Sequence, residues 1–243
     1  MVIQPQWPAP KSIRAYTTLR HMPGFSLPPY DHCNLATHVN ENAETVRQNR
    51  AQLKTLLNLP SDPIWIQQTH STIALPAIPD NLNEEADATF TQQANSICVV
   101  LTADCLPLLV CDKKGTHVAA IHAGWRGLAK GIIEATLQKL NLPPEELLVW
   151  LGPAIGPCHF EVGEDVLQLF LNADPTAHQG FSAIDKQKWQ CHLYLLARMR
   201  LEKYGISAIY GGDYCTRCDA NRFYSVRREG ETGRMASLIW MNN

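Results

Sequence analysis

The chain has 243 residues and carries 21 Lys and Arg residues against 23 Asp and Glu residues, for a formal net charge of -2 at pH 7. This balance lacks the basic footprint of a nucleic-acid-binding protein, so we expect no nucleic-acid partner. A chain of this length buries roughly 70–75% of its unfolded surface and needs no staples to hold a core. We therefore expect a single domain over residues 1–243.

The eight cysteines are best interpreted through the compartment in which the protein works. Residues 1–8 lack the basic and apolar regions of a secretion signal, and no segment resembles a membrane helix. Cysteines in a protein without such signals are most often reduced thiols rather than a disulfide framework. The sequence therefore predicts a cytoplasmic protein with no membrane partner.

Apolar spacing predicts the elements of the first part of the chain. A helix is expected over 41–58, followed by β-strands over 97–103, 106–111 and 116–121. Pro107 removes a ladder donor, so the first of these strands ends or bulges there. The short polar segment 113–115 predicts a hairpin turn between the second and third strands.

The second part of the chain continues the mixture of helices and strands. In chain order we expect a helix over 127–141, a strand over 147–151, a loop over 171–187, a helix over 188–204 that ends at Gly205, and strands over 206–210, 223–226 and 236–240. Strict β-α alternation is missing. The pattern therefore favours an α+β fold with a mixed β-sheet core covered by helices.

Three metal-capable side chains, His70, Cys105 and His122, each end or follow an apolar run. Imidazole and thiolate donors suit a tetrahedral Zn²⁺, and three protein ligands leave the fourth position open for water, as in catalytic zinc sites. The separations along the chain, from 70 to 105 and from 105 to 122, form no short ligand motif. The residues alone therefore leave open whether the three bind a metal or serve as ordinary structural side chains.

Five blocks of sequence resemble the successive signatures of the YfiH family. They are 67–71 (Gln-Gln-Thr-His-Ser), 102–107 (Thr-Ala-Asp-Cys-Leu-Pro), 122–127 (His-Ala-Gly-Trp-Arg-Gly), 152–163 (with Gly-Pro-Ala-Ile-Gly-Pro and Phe-Glu-Val-Gly) and 224–234 (with Tyr-Ser-Val-Arg-Arg-Glu-Gly and Thr-Gly-Arg). They occur in order along the chain, and the similarity as a whole runs from about Arg14 to Trp240. By this resemblance the family's zinc-binding His, Cys and His fall on His70, Cys105 and His122.

The resemblance also implies an activity. The family has been described as a laccase-domain polyphenol oxidase and as a peptidoglycan editing factor, and its better-supported activity is that of a purine nucleoside phosphorylase with adenosine deaminase activity. The implied substrates are adenosine, inosine and S-methyl-5′-thioadenosine, each cleaved with phosphate to a free base and the sugar 1-phosphate. The implied cofactor is Zn²⁺, with Cu²⁺ as an alternative occupant. The editing name adds cell-wall precursor metabolism as a partner class.

The candidate catalytic and substrate-binding residues lie in these five blocks, except Arg20, which lies nearer the N-terminus within the region of similarity. Carboxylates can carry the proton in deamination, and Arg groups are natural bidentate clamps for phosphate. The catalytic candidates are Cys105, His122, Asp104 and Glu161, and the phosphate-binding candidates are Arg20, Arg126, Arg227 and Arg228.

Three other functions differ in the residues that they require. A multicopper oxidase needs several His-x-His pairs, and none occurs among the nine histidines, so copper oxidation is not expected as the main function. A metal-free hydrolase would use Cys105 as nucleophile and His122 as base. A binding module for nucleosides or cell-wall precursors would retain its ligand without turnover.

The remaining cysteine motifs predict little. Cys215 and Cys218 form one Cys-x-x-Cys without a second pair, which does not support a zinc ribbon. The adjacent pair Cys158 and His159 is expected to be incidental.

Overall fold

Thirteen strands and six α-helices form the regular structure of residues 2–243, the part of the chain that this computed structural model describes. The strands are β1 (Val2–Ile3), β2 (Ile13–Thr18), β3 (Ala74–Pro76), β4 (Ala88–Thr91), β5 (Cys98–Thr102), β6 (Leu106–Asp112), β7 (Val118–Ala123), β8 (Leu147–Leu151), β9 (Glu161–Gly163), β10 (Phe181–Ala183), β11 (Lys188–Cys191), β12 (Ile209–Gly211) and β13 (Met235–Met241). The helices are α1 (Ala43–Leu56), α2 (Trp125–Lys130), α3 (Ile132–Leu140), α4 (Glu164–Ala173), α5 (Leu193–Tyr204) and α6 (Val226–Glu229). No helix within residues 2–243 is long and apolar enough to span a bilayer.

The strands form two main sheets and one small one. An antiparallel four-stranded sheet has the order β1-β2-β13-β5, and a mixed six-stranded sheet has the order β12-β8-β6-β7-β4-β3. Three short antiparallel strands, β10, β11 and β9, form the small sheet. The predicted α+β class is confirmed, with the mixed core divided between two sheets.

The two main sheets pack face to face, and helices cover their outer faces. Leu109 of the six-stranded sheet and Val100 of the four-stranded sheet lie in the core between them. On the opposite face of the six-stranded sheet, Leu108 packs with buried residues of α2 to α5. On the outer face of the four-stranded sheet, Leu101 lies in one buried cluster with Leu53 of α1. Because both faces of β6 and β8 are covered, every position of these strands is buried, which explains their continuous apolar sequences.

The crossing between the sheets positions the candidate site. The predicted turn at 113–115 joins β6 to β7 in an antiparallel hairpin, with Pro107 opposite His122. The predicted break near Pro107 is a change of sheet, because residues 103–105 lead from β5 of the four-stranded sheet to β6 of the six-stranded sheet. Cys105 therefore lies directly before β6, beside the end of β7.

Several predicted boundaries are wrong for local reasons. The helix expected over 127–141 is interrupted at Gly131, whose φ of 99° lies in the left-handed region that glycine adopts without strain. The helix expected over 188–204 begins only at Leu193, since 188–191 is a strand. Residues 223–226 are not a strand, because the Ser225 side chain caps α6.

Candidate metal centre

The structure brings His70, Cys105 and His122 together, and their donor atoms all lie within 4.8 Å of one another. His70 Nε2 is 3.6 Å from Cys105 Sγ. Tetrahedral zinc, with bonds of about 2.0–2.1 Å to nitrogen and about 2.3 Å to sulfur, places such a pair of donors about 3.6 Å apart. The donor types and this spacing therefore fit a single tetrahedral ion.

Asp87 orients His122 from behind. Its buried carboxylate lies 2.7 Å from His122 Nδ1. A histidine whose Nδ1–H donates a hydrogen bond to a carboxylate presents the lone pair of Nε2 to a metal. Metal-binding histidines are usually supported in this way. Nothing in the sequence indicated Asp87, because it stands alone between Ala86 and Ala88.

The same carboxylate holds the His70 loop. It accepts the backbone N–H groups of Thr69, His70 and Ser71 at 3.3, 3.0 and 2.5 Å. His70 has a φ of 60°, a region that residues other than glycine seldom adopt and that persists where the surroundings fix it. Asp87 thus fixes both histidines relative to each other.

Gly124 has no side chain, and the His70 ring and the Cys105 sulfur occupy the space where one would lie. A Cβ atom at this position would lie 2.4 Å from His70 Cδ2 and 3.0 Å from Cys105 Sγ. These are closer than van der Waals contact permits, so the site needs glycine here. This requirement gives a physical reason for the glycine in the block 122–127.

The charges of the metal-free centre favour a thiolate. Burial raises the pKa of the Cys105 thiol, but the charges and hydrogen bonds of His122 and His70 outweigh it and lower the pKa to about 6. Burial lowers the pKa of His122, whereas the Cys105 sulfur and Asp87 raise it, with a net rise to about 9. At neutral pH the pair is therefore a thiolate beside an imidazolium, and the thiolate is the form that binds metal.

The trio lies in the wall of a cavity of about 410 Å³. The lining residues are His38, Gln68, His70, Leu101, Thr102, Ala103, Asp104, Cys105, His122, Trp125, Ile155, Phe160, Val226, Arg227 and Arg234. Of the predicted substrate-binding arginines, only Arg227 is among them.

The two predicted carboxylates are both engaged elsewhere. Asp104 lines the cavity, but Thr216 Oγ1 donates to its Oδ1 at 2.6 Å and the Arg227 backbone N–H donates to its Oδ2 at 2.7 Å. The Glu161 carboxylate lies outside the cavity and pairs with Lys188 at 2.8 Å. The structure therefore indicates an anchoring role for Asp104 and gives no support to a catalytic role for Glu161 at the trio.

The other three predicted arginines do not line the cavity either. Their guanidinium groups contact the carboxylate of Glu229 (Arg20), the ring of Trp125 (Arg126) and the backbone carbonyls of Thr216 and Phe223 (Arg228). The contacts of Arg20 and Arg228 join separate segments of the chain, whereas Arg126 lies over the ring of its neighbour Trp125 in α2. A phosphate-binding role for these three arginines stays a prediction.

His38 and Arg234 were missed from the sequence. Partial burial and the charge of Arg234 lower the pKa of His38, so it is neutral at pH 7. Arg234 Nη1 donates to the carbonyls of Thr232 and Gly233, and these bonds do not use its Nη2 and Nε. Arg234 lies in the block 224–234, so the resemblance could have indicated it as a site residue. His38 lies in no motif.

We predict that Gly124→Ala weakens zinc binding at least about tenfold, because the new methyl group displaces the His70 ring. Gly163→Ala is the matched control, since both glycines cap helix N-termini with extended ψ and a Cβ at Gly163 meets chiefly the exposed Asp165 side chain. Competition with a chromophoric chelator measures the affinity, and far-UV circular dichroism checks the fold. Equal affinity of Gly124→Ala and wild type would contradict the geometry.

We also predict that Cys105 of the metal-free protein is alkylated by iodoacetamide with a midpoint near pH 6, because the pKa of its thiol is lowered to about 6. Peptide mass mapping follows this cysteine separately from the others. His122→Asn removes the imidazolium and should move the midpoint upward. A wild-type midpoint at the ordinary thiol value of about 8.5 would show that the imidazolium does not act on the sulfur.

Comparison with known proteins identifies the family. A family model described as multi-copper polyphenol oxidoreductase laccase matches residues 14–242. A Haemophilus influenzae protein named purine nucleoside phosphorylase is 47% identical over 242 residues, covering 98% of both chains. Escherichia coli purine nucleoside phosphorylase YfiH is 44% identical, covering 99% of this chain and 98% of the relative. A Neisseria meningitidis crystal structure aligns with a TM-score of 0.95 at 42% identity, covering 100% of this chain and 99% of that one. The chain therefore belongs to the YfiH family, which the laccase model describes.

Proposed function

We propose that this protein is a zinc-dependent purine nucleoside phosphorylase that also deaminates adenosine. The observation that carries the proposal is one cavity that combines the donor trio, two arginines and two aromatic side chains. The names of the relatives support the phosphorylase part. The substrates are adenosine, inosine and S-methyl-5′-thioadenosine, with phosphate as the second substrate.

Arg227 and Arg234 bind phosphate in this proposal. Both line the cavity, and each is held by backbone carbonyls: Arg227 Nη1 donates to Glu161 O at 2.9 Å, and Arg234 Nη1 donates to Thr232 O at 2.7 Å. The remaining donors of each fork serve phosphate oxygens, for which bidentate Arg geometry is well suited. Fixing the arginines beforehand lowers the entropy lost when phosphate binds.

The nucleoside lies between phosphate and the apolar wall. Trp125, Phe160 and Ile155 give the cavity a surface on which a purine packs by stacking and dispersion. Arg227 also lies over the Phe160 ring, 5.4 Å from its centroid. In this proposal, phosphate bound to Arg227 would lie beside the aromatic wall, next to the sugar carbon of a bound nucleoside that it attacks.

The donor trio supplies the remaining chemistry. His70, Cys105 and His122 would hold the zinc, and what the metal supplies in such a site is Lewis acidity, which polarises an oxygen and lets water ionise near neutral pH. His38 lines the cavity and is neutral at pH 7, so it can accept and return a proton during deamination. Asp87 keeps the two metal-binding imidazoles in place throughout.

A cysteine hydrolase is the second candidate, because the Cys105 pKa of about 6 also suits a nucleophile. The two functions differ in their dependence on metal. A nucleophilic Cys105 would work best after chelation, whereas the phosphorylase would lose its activity. Copper as the occupant, a cytoplasmic location and a role in peptidoglycan editing stay predictions.

The experiment incubates zinc-replete protein with adenosine or inosine, with and without phosphate, and follows free bases, inosine and ribose 1-phosphate by chromatography. We expect base release to require phosphate. Cys105→Ala should lower it at least about 100-fold through loss of a metal ligand. Arg234→Gln should raise the KM for phosphate about tenfold or more through loss of a charged hydrogen bond.

Arg47→Gln is the control for the arginine change, since Arg47 is exposed and pairs only with Glu44 on α1. Chelation should abolish turnover and zinc should restore it. Undiminished turnover in Cys105→Ala, or activity that increases on chelation, would overturn the proposal.

A further inference from the structure

Three cysteines meet on the surface away from the donor trio. Cys158 Sγ lies 3.9 Å from Cys215 Sγ and 3.6 Å from Cys218 Sγ. The fold brings Cys158 to the Cys-x-x-Cys pair from 57 and 60 residues away. Cys158 and His159, which are expected from the sequence to be incidental, therefore lie beside thiols that come from a distant loop.

The sulfur separations match a shared metal ion. Two thiolates bound to tetrahedral zinc at about 2.3 Å lie about 3.8 Å apart. A disulfide would place them about 2.05 Å apart, and all three thiols are free. The geometry is thus that of neighbouring ligands rather than of bonded sulfurs.

Two further features fit a metal. His159 offers a further donor, because Cys158, His159 and Cys218 place their ligand atoms within 4.8 Å of one another. Cys215 is not in that group of three and is joined to it by the 3.9 Å separation between its Sγ and that of Cys158. The His159 Nδ1 accepts a hydrogen bond from Arg217 at 2.7 Å. If the imidazole binds the metal through Nδ1, the metal bond replaces this hydrogen bond. The Gly156 backbone N–H donates to Cys215 Sγ at 3.3 Å, an interaction that favours a thiolate.

Gly156 itself permits this approach of the two loops. A Cβ atom there would lie 3.2 Å from Cys215 Cβ and 3.6 Å from Cys158 Sγ. Contacts of 3.2 Å are tighter than ordinary packing, so a larger residue would push the loops apart.

We propose that Cys158, Cys215 and Cys218, with His159 as the fourth donor, form a second zinc site of structural type. Thiolate-rich sites with four protein ligands are the usual form of structural zinc. The site would join residues 155–160, which supply Ile155 and Phe160 to the cavity, to residues 215–218, from which Thr216 anchors Asp104. This inference does not rest on the proposed enzymatic function.

The test is zinc content by mass spectrometry of metals, in protein purified under reducing conditions. Cys105→Ala isolates the second site, and we expect it to retain one zinc per chain. Cys105→Ala with Cys218→Ser should retain none. Cys111→Ala is the control for losing a thiol, since Cys111 is buried in β6 and belongs to neither site, and it should hold as much zinc as wild type.

Cobalt substitution gives an independent readout. In Cys105→Ala, the sulfur-to-cobalt charge-transfer band should be about three times that of Cys218→Ser, in which only the single thiolate of the first site remains. Cys158 and Cys218 are exposed, so we expect serine to be tolerated at these positions. Circular dichroism checks that each variant folds. Chelation of Cys105→Ala should lower its Tm, and chelation of Cys105→Ala with Cys218→Ser should leave Tm unchanged.

Three outcomes would overturn the inference. One is Cys105→Ala without zinc although it is folded and reduced. A second is zinc content that Cys218→Ser leaves unchanged. The third is a disulfide within this cluster in protein analysed directly from reducing conditions. Zinc lost only from the first site in Cys105→Ala, and only from the second in Cys218→Ser, would support two separate sites.

Discussion

The buried carboxylate of Asp87 is the interaction on which the rest of the site depends. It accepts hydrogen bonds from three successive N–H groups of the His70 loop, from the Ser71 hydroxyl and from His122 Nδ1. A carboxylate this buried is stable only when its oxygens are fully engaged, and removing a partner of such a buried pair costs about 3–5 kcal/mol. One side chain thereby fixes a strained loop and a β-strand in the relative position that a metal needs.

The pairing of the two sheets supplies the third donor. Cys105 lies where the chain leaves the four-stranded sheet and enters the six-stranded sheet, and β6 then pairs with the strand that carries His122. The buried strands on either side are rigid, because both of their faces are packed. A site held by such elements keeps its geometry without ligand, which is the condition for binding a metal with an open position.

A site residue could be predicted only where the sequence around it carried a recognisable pattern. His70, Cys105 and His122 were identified because donor-type side chains followed apolar runs and matched a family resemblance. Asp87 and His38 could not be found, since a single polar residue carries no sign of its partner. The family resemblance selects Glu161, Arg20, Arg126 and Arg228, but a resemblance does not tell which way a side chain points. Their catalytic and phosphate-binding roles stay predictions.

The helices and strands divide in the same way, into those with a local sequence signal and those that depend on contacts between distant segments. The strands of the β6–β7 hairpin were predictable because the apolar runs flank a short polar turn. The division into two sheets, and the meeting of Cys158 with Cys218, depend on contacts between distant segments that no local pattern encodes. The interruption at Gly131 is different, because its signal is local. The apolar periodicity predicts one continuous helix, whereas the glycine within it permits the left-handed φ of 99° that ends α2.

In the proposed centre, three donors remote in the chain bind one zinc ion supported by Asp87. Crystals of zinc-replete protein, measured on both sides of the zinc absorption edge, test it most directly. We expect an anomalous peak about 2.0–2.1 Å from one nitrogen each of His70 and His122 and about 2.3 Å from Cys105 Sγ. A fully reduced crystal with no peak between these donors, or with the three donors too far apart to share an ion, would contradict it.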